Sequence, residues 1–172
     1  TRDTLKRRLF EYSGLPIKIN AGSFSSKTSW PNNFQANNLL WSLHKKNKLN
    51  RRYFDAISSS EALKKEDVCF FAPYQPEAIS NLYAGQFERV EWVLEILFKS
   101  LPECVSVRYR EHPSTFLGSS KGALSRDPGL YDRLRSRYPR LKFERKEVTL
   151  KESIDSCAAV ATIGGSVGYE AL

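Results

Sequence analysis

The chain has 172 residues, 41% hydrophobic and 27% charged, which is ordinary usage for one sizeable globular domain with a real core. No apolar run approaches the roughly 20 residues needed to span a bilayer, and no signal-peptide pattern opens the chain. The net charge of +8 favours an anionic partner: nucleic acid, an anionic membrane surface and a phosphorylated small molecule all qualify.

Met is absent, including at position 1, and the last residues read as a helix cut short, so we expect a piece of a longer chain. Cys69, Cys104 and Cys157 form no metal-type spacing. Each lies in or near an apolar run and reads as a small buried hydrophobe in a reducing compartment. With two histidines, an all-protein metal site is not expected.

Residues 1–12 suggest a basic helix that Gly14-Leu15-Pro16 breaks, and residues 21–33 read as loop. A helical pattern returns over 34–57, with Leu39, Leu40, Leu43, Leu49 and Phe54 as its apolar positions. Lys45, Lys46, Lys48, Arg51 and Arg52 cluster on it, as a solvated face or as a contact for phosphate or anionic lipid. We place a boundary after residue 66. Residues 1–66 are a mainly helical and loop segment, either a separate linker segment or the remnant of a second domain. Residues 67–172 form an α/β domain that we expect to be truncated at its C-terminal end.

That domain opens with an apolar strand at 68–73. In the helix that follows, Phe87, Val90, Val93, Leu94, Leu97 and Leu101 form one stripe at helical period, core against a sheet. A second strand at 105–110 runs into Glu111-His112-Pro113. A Ser/Gly-rich loop spans 114–125. Asp127-Pro128 starts a helix, with Asp as N-cap and Pro at the first helical position, and Leu130, Leu134 and Tyr138 turn inward. A short strand at 141–144, a short helix at 150–156 and a strand at 158–163 complete the pattern. The last strand is small and apolar, so burial on both faces is expected. The alternation predicts a doubly wound, Rossmann-like parallel sheet.

Three signatures then fall at strand carboxyl ends, the edge where open α/β folds bind ligands. The first is Tyr74-Gln75-Pro76-Glu77. Glu77 can act as a general base or hold substrate hydroxyls, or it can simply sit near a helix start. Gln75 can contact sugar hydroxyls or cap the loop. The second is His112, which Pro113 biases towards extended geometry. Its imidazole suits a phosphate contact or acid–base work near neutral pH. The third is the Gly164-Gly165-Ser166 turn between a strand and a helix. Its backbone N–H groups can receive an anion, or Ser166 can serve as an N-cap; Glu170, one turn on, can reach a ribose hydroxyl or face solvent. The turn lacks the Lys of a P-loop and the full dinucleotide fingerprint.

As a set, Gln75-Pro76-Glu77, Leu101-Pro102, Glu111-His112-Pro113 and Gly165-Ser166-Val167-Gly168-Tyr169-Glu170-Ala171 resemble the capsule polysaccharide biosynthesis family, which includes retaining Kdo transferases. The resemblance covers about residues 66–172. It departs at Ile79-Ser80-Asn81, where small Ser/Thr residues are more usual. It departs also at Arg110, a common Lys, and at Ser166, a frequent Thr.

The resemblance implies a two-domain GT-B glycosyltransferase, this chain being mainly its nucleotide-sugar-binding half. The donor implied is CMP-Kdo, with a glycolipid or oligosaccharide acceptor and no tightly bound cofactor. By the same resemblance and a similarity to bacterial sialyltransferases, His112 and Pro113 meet the CMP phosphate and Gly165-Ser166 cradle it. Glu170 lies near the ribose; Gln75 and Glu77 border a sugar. No nucleophile is assigned, because the other domain would supply it. The expected location is cytoplasmic, with peripheral contact to an anionic membrane at its inner face. Sialyltransferase-like and CDP-polyol transfer are alternatives. A basic nucleic-acid-binding module is a third, not expected because no recognised motif accompanies the basic runs.

Overall fold

A computed structural model describes residues 33–59, 64–75, 84–117, 121–126 and 128–172, with side chains left aside at 33–39, 86 and 121. The element order is α1 (Asn33–Ile57), β1 (Val68–Phe71), α2 (Val90–Ser100), β2 (Val107–Arg110), α3 (Pro128–Arg137), β3 (Leu141–Phe143), α4 (Leu150–Asp155), β4 (Ala159–Thr162) and α5 (Val167–Glu170). Short 3-10 turns at Gly85–Glu88, Pro113–Phe116 and Lys121–Leu124 fill connections.

All strand pairings are parallel, in the order β3-β2-β1-β4. The chain steps from β1 to β2 to β3, then returns past β1 to place β4 on its other side. Right-handed crossovers put the connections of the outward steps on one face and the return connection on the opposite face. Accordingly Val90 and Leu94 of α2 and Leu130, Tyr131 and Leu134 of α3 pack with Phe70, Val107, Tyr109 and Phe143. Helix α4 meets the other face instead. The sheet is therefore doubly wound and Rossmann-like, and its strand order reverses between β1 and β4.

The alternation of β2 explains the different characters of the two faces. Val107 and Tyr109 enter the apolar core, while Arg108 and Arg110 point to the α4 side. There Glu144 accepts from Arg108 Nη1 at 3.3 Å, Arg110 Nη1 at 2.7 Å and Ser153 Oγ at 2.7 Å. Helix α4 is started by a capping box: Thr149 Oγ1 accepts from the Glu152 N–H, and Glu152 accepts from the Thr149 N–H. Polar pairing rather than an apolar stripe holds this layer.

Helix α1 lies ahead of the boundary placed after residue 66 and packs against the α/β unit. Phe54, 1% exposed, packs its ring 5.3 Å from Tyr131, 5.2 Å from Phe116 and 5.6 Å from Phe143. Ser59 then bonds the Phe143 carbonyl through its N–H at 2.9 Å, beside β3. Residues 33–59 are thus built into the α/β unit.

Some expectations for single positions are corrected. β4 is not buried on both faces: Ala159 is exposed and Val160 to Thr162 are half-buried, because β4 lies at the sheet edge. Cys69 is buried, but Cys104 is exposed in the turn between α2 and β2. Leu49 is 51% exposed, and the inward positions of α1 are Leu43, Asn47, Asn50 and Phe54. Phe87 lies in a 3-10 turn ahead of α2 and is exposed. No described helix is long and apolar enough to cross a membrane.

Candidate functional site

The register places Phe71 of β1 opposite Arg110 of β2 and Thr162 of β4. Two residues further on, His112 and Gly164 emerge on either side of Pro73. Two strand spacings across β1 amount to about 10 Å. This is the strand-order reversal, the place where open α/β folds bind ligands. The structure thus brings His112, Pro113, Gly165, Ser166 and Glu170 to one edge of the sheet. Pro76 and Glu77 lie outside the described residues, as does the Asp127 N-cap.

His112 is exposed, with extended backbone (φ −65°, ψ 132°) as the following proline favours. Its Nδ1 accepts the Ser114 N–H at 3.1 Å, which caps the 3-10 turn begun by Pro113. A ring nitrogen that accepts is unprotonated, so the neutral imidazole carries its proton on Nε2. The Tyr74 ring lies 5.7 Å away, centroid to centroid.

Across β1, Gly164 has φ +65°, a left-handed conformation that suits glycine. A Cβ on Gly165 would come within 2.9 Å of Thr162 Oγ1. The turn is therefore compact for reasons local to the sequence. The backbone bonds of α5 run from Gly168, Tyr169, Glu170 and Ala171 back to Gly165, Ser166 and Val167 carbonyls. The N–H groups of Gly165, Ser166 and Val167 have no acceptor among the described residues. Ser166 occupies the N-cap position of α5 without a side-chain capping bond; its Oγ donates to Glu170 Oε1 at 3.2 Å instead. Both side chains are exposed, so this pair can open to a ligand.

Beneath His112 lies a network that sequence reasoning missed. Glu111, 7% exposed, accepts at Oε2 from Arg126 Nε (3.0 Å), the Tyr131 hydroxyl (2.9 Å) and the Tyr109 hydroxyl (3.1 Å). At Oε1 it accepts from the His112 N–H at 3.3 Å and Thr115 Oγ1 at 3.4 Å. Arg126, 2% exposed, also donates to Gln75 Oε1 at 2.6 Å and the Pro73 carbonyl at 3.2 Å. Gln75 Nε2 donates to the Glu88 carbonyl. The Gln75 amide is thus engaged at both ends inside the protein; the sequence had offered it either to a sugar or as a cap for the loop.

Burial opposes the Arg126 charge, but the Glu111 carboxylate beside it prevails and holds its pKa above the ordinary value. Burial, reinforced by Glu111, pushes the Tyr131 phenol far up. Burial raises the Tyr109 phenol too, with Glu111 adding to it against Arg126. All three groups keep their protons at neutral pH, and all three donate to one carboxylate.

Two asparagines of α1 complete the support. Asn47 Nδ2 donates to the Leu117 carbonyl and Asn50 Nδ2 to the Arg126 carbonyl, each at 2.7 Å. They brace the segment between His112 and Arg126 from outside the sheet. One signal for them existed: Leu43, Asn47, Asn50 and Phe54 share one helical face, so two amides stand at core positions. Arg126 carried no such signal, since its partners are fixed only by the tertiary fold.

Comparison with protein-family models, curated proteins and solved structures finds no match in any of the three.

Proposed function

We propose that this domain binds a nucleotide-activated sugar and serves as the donor-binding half of a GT-B glycosyltransferase. CMP-Kdo is the donor that the capsule-type motif set favours. One observation carries the reading: His112 and the Gly165-Ser166 turn flank the end of β1 at the strand-order reversal. The motifs, far apart in sequence, are neighbours in space.

In such a transfer the donor phosphate leaves with growing negative charge. The His112 Nε2–H and the free N–H groups of residues 165–167 are donors fixed before reaction. Donors of this kind stabilise a leaving oxyanion without reorganising, the largest contribution in many transferases. Glu111, bonded to the His112 N–H, holds the segment carrying the imidazole. Glu77 remains a candidate carboxylate from sequence alone. The acceptor, in this reading a glycolipid or oligosaccharide, approaches a donor held at the sheet edge.

Calorimetric titration of CMP into the parent protein and into His112→Ala tests the reading. Binding by the parent and at least a tenfold loss in the variant are expected for a lost charge-assisted bond. Equal affinity in the two proteins would remove His112 from the site. A panel of CMP- and CDP-linked donors separates Kdo transfer from sialyl and polyol transfer.

A further inference from the structure

A separate cavity of about 450 Å³ opens between the start of α2 and the start of α3. Its volume is in the range of small-ligand pockets. Its floor is the Gln75–Arg126 pair, already bonded within the protein. Glu88, Arg89 and Glu91 line it from the α2 side, Arg133 from α3 and Leu124 from the preceding turn. Among the described residues, none of the four charged wall side chains makes an ion pair or side-chain hydrogen bond.

Two arginines and two carboxylates line one cavity, and their charged groups are not tied up in ion pairs with one another. Arg126 adds no free charge, because Glu111 neutralises it at 3.0 Å. The four remaining wall charges cancel. A phosphate or nucleotide would meet two carboxylates there, so charge balance argues against an anion. A ring of hydroxyls suits the cavity, because each hydroxyl both donates and accepts. Arginines can donate to sugar oxygens while glutamates accept from adjacent hydroxyls. Leu124, 49% exposed, offers an apolar surface for sugar C–H groups.

We propose that this cavity is a binding subsite for an uncharged, polyhydroxylated ligand, a neutral sugar residue. The inference rests on the glycosyltransferase reading for its purpose, as a place for acceptor sugar away from the charged donor. Its geometry stands independently of that reading. Glu88 and Arg133 are exposed, so their substitution leaves the fold intact.

The test is saturation-transfer NMR with the methyl glycosides of glucose, galactose and N-acetylglucosamine, and with inorganic phosphate as a competitor. At least one glycoside is expected to bind. Its affinity should fall about tenfold in Arg133→Ala and in Glu88→Gln, as expected for a lost bond to a charged group. CMP affinity should not change in either variant. Failure of all three glycosides to bind, binding unchanged by both substitutions, or displacement by phosphate would overturn the proposal. Failure of the parent to bind CMP, or equal CMP affinity in the parent and His112→Ala, with glycoside binding intact, would sink the donor reading alone. Glycoside failure with CMP binding intact would sink this one alone.

Discussion

Arg126 Nε donates to Glu111 Oε2 at 3.0 Å, with both side chains almost wholly removed from solvent. That bond fastens the end of β2 to the segment entering α3. Through Pro73 and Gln75, Arg126 also fastens the end of β1. This edge of the sheet therefore depends on one buried pair.

Removing one partner leaves the other buried and unpaired, at a cost of about 3–5 kcal/mol. Arg126→Met and Glu111→Leu should each destabilise by that amount in urea unfolding. The double variant should lose less than the sum of the two. Additive losses would show that the two groups act independently.

Phe54→Ala should cost about 3–5 kcal/mol, the usual loss for a buried aromatic in a packed core. Trp41→Ala, on the exposed side of α1 (65% exposed), should stay within about 0.5 kcal/mol. Thermal unfolding of both variants checks this. A Phe54 variant as stable as the parent would mean that α1 folds apart from the sheet.

Glu95 supplies a pH dependence of stability. It accepts from the Tyr138 hydroxyl at 2.8 Å, meets Lys99 at 3.1 Å and meets Arg137 at 2.7 Å. The Tyr138 bond first, then the two cations, lower its pKa to about 2. The folded state thus binds fewer protons than the unfolded chain, whose Glu titrates near about 4.3. The contribution is present above about pH 4.3 and is lost as pH falls towards 2. Glu95→Gln should flatten the difference in urea midpoint across that window, less so at high salt. Parallel acid profiles for variant and parent would contradict this assignment.

Gly164→Ala forces an L-residue into a left-handed conformation at φ +65°, costing about 1–2 kcal/mol. The strain should fall on the turn carrying the free N–H groups. CMP affinity should therefore drop along with thermal stability. Unchanged affinity would place the anion elsewhere.

Much of the fold was legible from period and punctuation. The α2 stripe and the Pro128 helix start belong to local structure, and local structure is what sequence patterns encode. Alternation of strand and helix sufficed to predict a parallel sheet. The register that aligns Phe71 with Arg110 and Thr162 then followed from tertiary pairing. Positions that answer to distant partners were not legible. Asn47 and Asn50 show in the sequence only as amides at core positions of α1; the carbonyls they bond, of Leu117 and Arg126, are set by the tertiary fold. Glu111 looked like a polar neighbour of His112; burial under two tyrosines makes it a structural hub. β4 was misjudged because small apolar residues suit both a central strand and a half-covered edge.

The most direct test is a crystal structure of the protein with CMP. The account predicts its phosphate within hydrogen-bond distance of His112 Nε2 on one side and the N–H groups of Gly165 and Ser166 on the other. CMP bound away from both, or no CMP at concentrations that saturate the protein in solution, would contradict it.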